Sequence, residues 1–216
     1  MSFSPTKHSP RKLPKGMPIT KNMGGLSPIK IPSKKQKIEA TPKVSTVMLT
    51  GGPCGGKSTS MKILTKKFAE IGYKVFSVPE IATVTVDSGC LFYTFNSHTE
   101  RCEFTKAINE AQIDSEKYYK KLAEIQCQSK KENVIIICDR GILDNWPYTK
   151  MEIKNEIEFS TGWDDHKLMH NRYDAIFNMV TVADKSDEMY SNANNIARTE
   201  DADESIALDK KLQNTY

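Results

Sequence analysis

The chain has 216 residues, 38% of them hydrophobic and 27% charged, with a formal net charge of +4; that is enough for one domain with a sizeable core and a tail. Its longest unbroken apolar run, Val134 to Cys138, is far short of the stretch of about 20 that spans a bilayer, and the basic first thirty residues lack the apolar segment of a signal peptide. The five cysteines form no CxxC pair, which excludes a disulfide scaffold and a zinc ribbon, so a soluble cytoplasmic protein is expected.

The charge is unevenly spread. Residues 1–43 hold ten Lys and Arg against Glu39 alone, a net +9, together with seven of the ten prolines; the remainder carries −5. Rich in Pro, Ser and Lys and without helical or strand periodicity, residues 1–43 are expected to be a disordered basic arm. Ser4-Pro5-Thr6-Lys7, Ser9-Pro10-Arg11-Lys12 and Ser27-Pro28-Ile29-Lys30 repeat a Ser-Pro-x-basic pattern suited to proline-directed kinases, whose phosphates would cancel much of the +9. Lys34-Lys35-Gln36-Lys37 reads as a nuclear import signal or a contact for anionic membranes, with a solvated linker as the plainer reading. The arm lacks interleaved aromatics and the rest is acidic, which speaks against nucleic acid as a partner.

From residue 44 onward strands and helices alternate. Val44 to Thr50 reads as a β-strand ending in glycines. Residues 57–72 follow as a helix, with Met61, Leu64, Phe68 and Ile71 at helical spacing and Gly72 as its stop. Lys74 to Val78 is a second strand. Ser97 with Glu100 makes a capping box for a long helix whose apolar face is expected to be Phe104, Ala107, Ala111, Tyr118, Leu122 and Ile125. Val134 to Cys138 suits a buried parallel strand, Ala175 to Val182 is a fourth, and a lid helix is expected from Asp203. This order predicts an α/β parallel sheet flanked by helices.

Between the first strand and its helix lies Gly51-Gly52-Pro53-Cys54-Gly55-Gly56-Lys57-Ser58, followed by Thr59, which satisfies the Walker A pattern GxxxxGK[ST] of a P-loop. Glycines let backbone N–H groups converge on phosphates, and the helix N-terminus adds its positive end. Lys57 reaches the β/γ-phosphates and Ser58 ligates Mg²⁺. Cys54 fits the loop by its small size.

Asp139 ends the apolar strand, where a Walker B acid should hold the Mg²⁺ shell, and Arg140 follows at once. Glu80, just past the second strand, is placed to accept an acceptor's proton with Arg140 positioning that acceptor; a salt-bridged surface glutamate is the other reading. Arg198, in an acid-flanked segment, is expected to close over the phosphates; a solvated loop arginine is the other reading. His166 and His170 are set aside as solvent-facing. No NKxD-type guanine motif occurs, so the residues do not decide between GTP and ATP.

The blocks TGGPCGGKST (50–59), VPEIATV (78–84), IICDRGILD (136–144), NRYDAIFNMVTVAD (171–184) and Ala197 to Glu200 occur in this order. Together they resemble the AAA-type, kinase-like P-loop domain shared by NadR-type ribosylnicotinamide kinases and the TRPL translocation defect protein 14 group, and are closer to the latter. The resemblance covers residues 44–216. It implies a nucleoside-kinase-like fold with a lid at about 184–216, and a further strand beyond Tyr216. It also implies Mg²⁺ with GTP or ATP at Lys57 and Ser58, the acid and Asp-Arg positions at Glu80 and Asp139-Arg140, and a lid arginine at Arg198. The function expected from it is regulatory GTP binding linked to phosphoinositide membranes and traffic partners. The alternative is a small-molecule kinase of the nucleoside or ribosylnicotinamide type.

Overall fold

A computed structural model describes residues 41–181 and 202–216, all within one compact unit, Ala40–Tyr216. The arm up to residue 40, with its Lys34–Lys37 cluster, and the segment that holds Arg198 lie outside the described residues. Four parallel strands form one sheet: β1 (Val44–Thr50), β2 (Lys74–Val78), β3 (Val134–Asp139) and β4 (Ala175–Asn178), in the order β2-β3-β1-β4. The helices are α1 (Lys57–Glu70), α2 (Ile81–Asp87), α3 (His98–Lys130), α4 (Met151–Thr161), α5 (Asp165–Met169) and α6 (Ala202–Gln213). The α/β parallel sheet flanked by helices is thus the observed architecture.

The central strands are apolar on both sides because both sides are covered. Side chains alternate across a strand, so Met48, Val134, Ile136 and Cys138 pack with Ala123 and Cys127 of α3. Val47, Leu49, Ile135 and Ile137 face Met61, Leu64 and Phe68 of α1. A third cluster joins α3 to α4 and α5 through Cys102, Ile142, Trp146, Ile153, Ile157 and Leu168.

The capping box forms as expected: the Ser97 side chain accepts from Glu100 N–H, and the Glu100 carboxylate accepts from Ser97 N–H. The face of α3 is not the expected one. Tyr118 and Ile125 are 59% and 54% exposed, and the buried positions are Cys102, Ile108, Asn109, Gln112, Glu116, Ala123 and Cys127. Polar side chains with polar partners, such as Gln112 with Glu116 and Asn109 with Asn145, are buried there, which an apolar periodicity does not register. Ile71 lies past the end of α1 and is exposed. The fourth strand is shorter than expected, ending at Asn178. Helix α6, close to the expected start at Asp203, runs from Ala202 to Gln213. No described helix is long and apolar enough to cross a membrane.

Candidate functional site

Strand register brings the site together. Leu49 of β1 lies opposite Asp139 of β3, and Val78 of β2 lies opposite Cys138. The segments leaving three neighbouring strands therefore emerge side by side at the carboxyl edge of the sheet, where ligands of open α/β sheets bind. The glycine-rich loop leaves β1, Glu80 follows β2, and Asp139-Arg140 ends β3.

The loop's geometry depends on its glycines. Gly51 takes φ +131, and a Cβ there would stand 2.0 Å from the Met179 carbonyl oxygen. Gly56 takes φ +77 as the residue before α1, and no side chain caps that helix. Among the described residues the first-turn N–H groups of α1 thus have no side-chain acceptor, which with the helix dipole is the arrangement that receives a phosphate. Ser58 and Thr59 sit exposed in that turn, Gly52, Pro53 and Gly55 are buried, and Cys54 is half-buried with φ +56.

Lys57 is buried, and its Nζ donates to Gly51 O at 2.7 Å and Gly52 O at 2.9 Å. An ammonium has three donors, so one remains to reach a bound anion. Burial, and then the nearby Arg140 guanidinium, lower its pKa to about 8. An anion beside it would reverse that shift.

Glu80 and Arg140 form an ion pair through Arg140 Nε, and the Thr83 hydroxyl donates to Glu80 at 2.9 Å. Their side chains are only 22% and 13% exposed, so this is a largely buried pair and not a surface one. Burial pushes the Glu80 carboxyl up, but the Arg140 charge and its hydrogen bond hold it below the usual carboxylate range. Arg140 has φ +73 and stands 5.7 Å over the Tyr148 ring. Its NH1 also points to Gly51 O and Asp144 Oδ2, both at 3.4 Å.

Asp139 differs. Its Oδ1 is buried and has no hydrogen-bond partner among the described residues, and burial, followed by the Glu80 charge, raises its pKa. A buried acceptor-only oxygen beside an anion-binding loop suits a hard cation such as Mg²⁺, which takes oxygen ligands. Ser58 and Asp139 are the residues that would hold it.

Three residues of this region escaped the sequence reading. Asp144 is fully buried with a raised pKa, chiefly from burial, and takes hydrogen bonds from Thr50 Oγ1 at 2.9 and 3.0 Å and from Tyr216 OH at 2.7 Å. Its spacing of four from Arg140 was the available signal. Asp209 of α6 accepts from Gly52 N–H at 2.7 Å, and Tyr216 OH accepts from Leu143 N–H at 3.2 Å. Both contacts span sequence distances at which no local pattern operates.

A parallel sheet whose β1 runs through a glycine-rich loop into an uncapped helix, with a buried lysine under that loop, defines a P-loop nucleotide-binding fold. The chain belongs to the AAA domain family AAA_28, whose family model matches residues 46–216. No curated protein sequence matches it significantly. Among solved structures it is similar to deoxyadenosine kinase from M. mycoides with bound dATP, with 15% identity and a TM-score of 0.48, covering 80% of this chain and 83% of that one. It is also similar to the APS kinase CysC from Mycobacterium tuberculosis, with 14% identity and a TM-score of 0.31, covering 80% and 99%.

Proposed function

We propose that the protein is a small-molecule kinase, holding Mg²⁺ with ATP or GTP in the loop 51–59 and passing the γ-phosphoryl group to a hydroxyl acceptor. The observation that carries this reading is the Glu80–Arg140 pair, set beside Lys57 and the uncapped start of α1. Holding a nucleotide needs only the loop and its lysine. A guanidinium-bound carboxylate just past β2, at the same edge of the sheet, is apparatus for a second substrate.

The roles follow from charge and burial. The α1 N-terminus and the remaining Lys57 donor hold the phosphate oxygens and meet the charge that develops on them. Glu80, kept ionised by Arg140, accepts a hydrogen bond from the acceptor hydroxyl; a loose transition state needs little base strength. Arg140 fixes the Glu80 rotamer and offers its remaining N–H groups to the acceptor. Ser58 and Asp139 would hold Mg²⁺, which would supply positive charge to offset that of the phosphates. Arg198 is a candidate to close over them.

The test is to incubate the full chain with γ-labelled ATP or GTP, Mg²⁺ and a panel of nucleosides including ribosylnicotinamide. Labelled acceptor is expected, lost in Lys57→Ala and strongly reduced in Glu80→Gln. A folded protein that binds nucleotide but labels nothing overturns the kinase reading.

One observation favours a second reading. The +9 of residues 1–43, joined to an acidic remainder, suits a regulatory GTP-binding protein that meets phosphoinositide membranes or traffic partners, in keeping with the resemblance to the translocation defect protein group. Flotation with phosphoinositide vesicles, with GTP and without nucleotide, tests it: nucleotide-dependent flotation lost on deleting residues 1–43 supports it, and flotation indifferent to nucleotide and arm removes it.

A further inference from the structure

On the far end of α3 from its junction with β3, three metal-ligating side chains meet. His98 opens the helix, Cys102 stands one turn later, and Glu156 comes from the middle of α4. The His98 Nε2 lies 2.7 Å from Glu156 Oε2 and 3.5 Å from Cys102 Sγ. The Cys102 thiol also lies near the Glu156 carboxylate, so the three groups form a compact triangle. All candidate ligand atoms lie within 4.8 Å of one another, and no other such group occurs among the described residues.

The placement is held from below. Cys102 is only 4% exposed, and it belongs to the same apolar cluster as Ile153 and Ile157 of α4. Those two residues fix the face of α4 on which Glu156, between them in sequence, reaches the start of α3. His98 and Glu156 are each 55% exposed at the rim. The thiol is thus the floor of a shallow cup, and the imidazole and carboxylate are its open wall.

We propose that His98, Cys102 and Glu156 bind a divalent cation of the zinc class, with water in the fourth position, tying α4 to the first turn of α3. Tetrahedral zinc with Zn–N about 2.05 Å and Zn–S about 2.3 Å sets its nitrogen and sulfur roughly 3.5 Å apart, which is the spacing already present. The nitrogen–oxygen spacing must open to roughly 3.3 Å, a small rotation for two half-exposed side chains. In the metal-free state the imidazole proton on Nε2 joins His98 to Glu156. On binding, the thiol proton leaves to solvent and the imidazole proton moves from Nε2 to Nδ1, freeing one lone pair on each. Thiolate with imidazole selects zinc, cobalt or cadmium over the Mg²⁺ that suits the all-oxygen nucleotide site.

The experiment uses the full chain, stripped with a chelator and kept free of nucleotide, so its result is independent of the kinase reading. Titration with Co²⁺ alone is expected to saturate at one equivalent with a thiolate-to-cobalt charge-transfer band, and Zn²⁺ to displace it and raise the melting temperature. His98→Ala and Glu156→Gln, both at the surface and therefore folding normally, should each weaken Zn²⁺ binding roughly tenfold or more and abolish the thermal shift. Cys102→Ser should remove the band. No band in the unsubstituted chain overturns the proposal. So does a band and thermal shift unchanged in His98→Ala, which would assign the metal to another cysteine.

Discussion

Among the described residues, charge is buried at two places, and in opposite ways. Behind the sheet, Glu116 of α3 is closed: its Oε1 accepts from Gln112 Nε2 and Tyr173 OH, both at 2.7 Å, and its Oε2 accepts from Arg172 at 2.8 Å. At the carboxyl edge the set is open. Asp139 has a buried oxygen without a donor among the described residues, Lys57 has a donor to spare, and α1 begins without a side-chain cap. A closed network stabilises the fold as it stands. An open one is completed by a ligand that brings both anionic and cationic parts, as Mg²⁺ with a nucleoside triphosphate does.

The comparison breaks most visibly at Glu116. Replacing it with Ala strands the largely buried Arg172 and the Tyr173 hydroxyl and should cost about 3 kcal/mol of folding stability, read by urea denaturation. Nucleotide affinity of the folded protein should not change. Preserved stability with lost affinity would move Glu116 into the ligand site and dissolve the distinction. Lys57→Ala should do the reverse, costing about 2 kcal/mol of nucleotide affinity, roughly thirtyfold, with stability unchanged or slightly higher because a buried ammonium is gone. Equal affinity in a fluorescent-nucleotide titration would show that the loop is not the site.

Acidity sharpens the same contrast. The Lys57 pKa falls from 10.5 to about 8 in the unliganded fold. Between those values the unfolded chain binds the proton and the folded chain does not. Its contribution to stability therefore rises with pH through that window. Binding runs the other way, since the phosphates require the charged form. Affinity should be flat below about pH 7 and about tenfold weaker at pH 9. A Lys57→Ala variant should lack that decline, and a decline persisting in it would assign the titration to another group.

How much of this was legible depends on the range of the determining contacts. The loop 51–58 and the capping box at Ser97 and Glu100 are local, so spacing alone located them. The central strands were legible because apolar runs covered on both faces leave a continuous signature; Glu80 and Arg140 were each singled out near strand ends, but their buried ion pair was not read, because spacing does not show which side chains meet across two strands. The face of α3 was misread because what it buries is polar, Asn109, Gln112 and Glu116, partnered by Asn145, Arg172 and Tyr173 from later segments. Asp144 was in view as part of a block, but its burial depends on Thr50 and Tyr216. The contact of Asp209 with Gly52 had no local signature at all.

That last contact is where the open site meets the closed fold. Asp209 is 3% exposed; its Oδ1 takes the Gly52 N–H and its Oδ2 takes Gln213 Nε2 at 2.7 Å. The loop's N–H groups are therefore divided, one serving α6 and those at the start of α1 left for an anion. A carboxylate so close to an anion-binding loop also repels the phosphates it flanks. Asp209→Asn keeps an acceptor for Gly52 and removes the charge, so the two effects separate. Relief of repulsion between partly screened charges is worth about 0.5–1 kcal/mol, so Mg²⁺-nucleotide should bind two- to fivefold more tightly, with the gain shrinking as salt rises. Weaker binding by the Asn variant would mean that α6 holds the loop open through the charge itself, making Asp209 part of the site and not a neighbour of it.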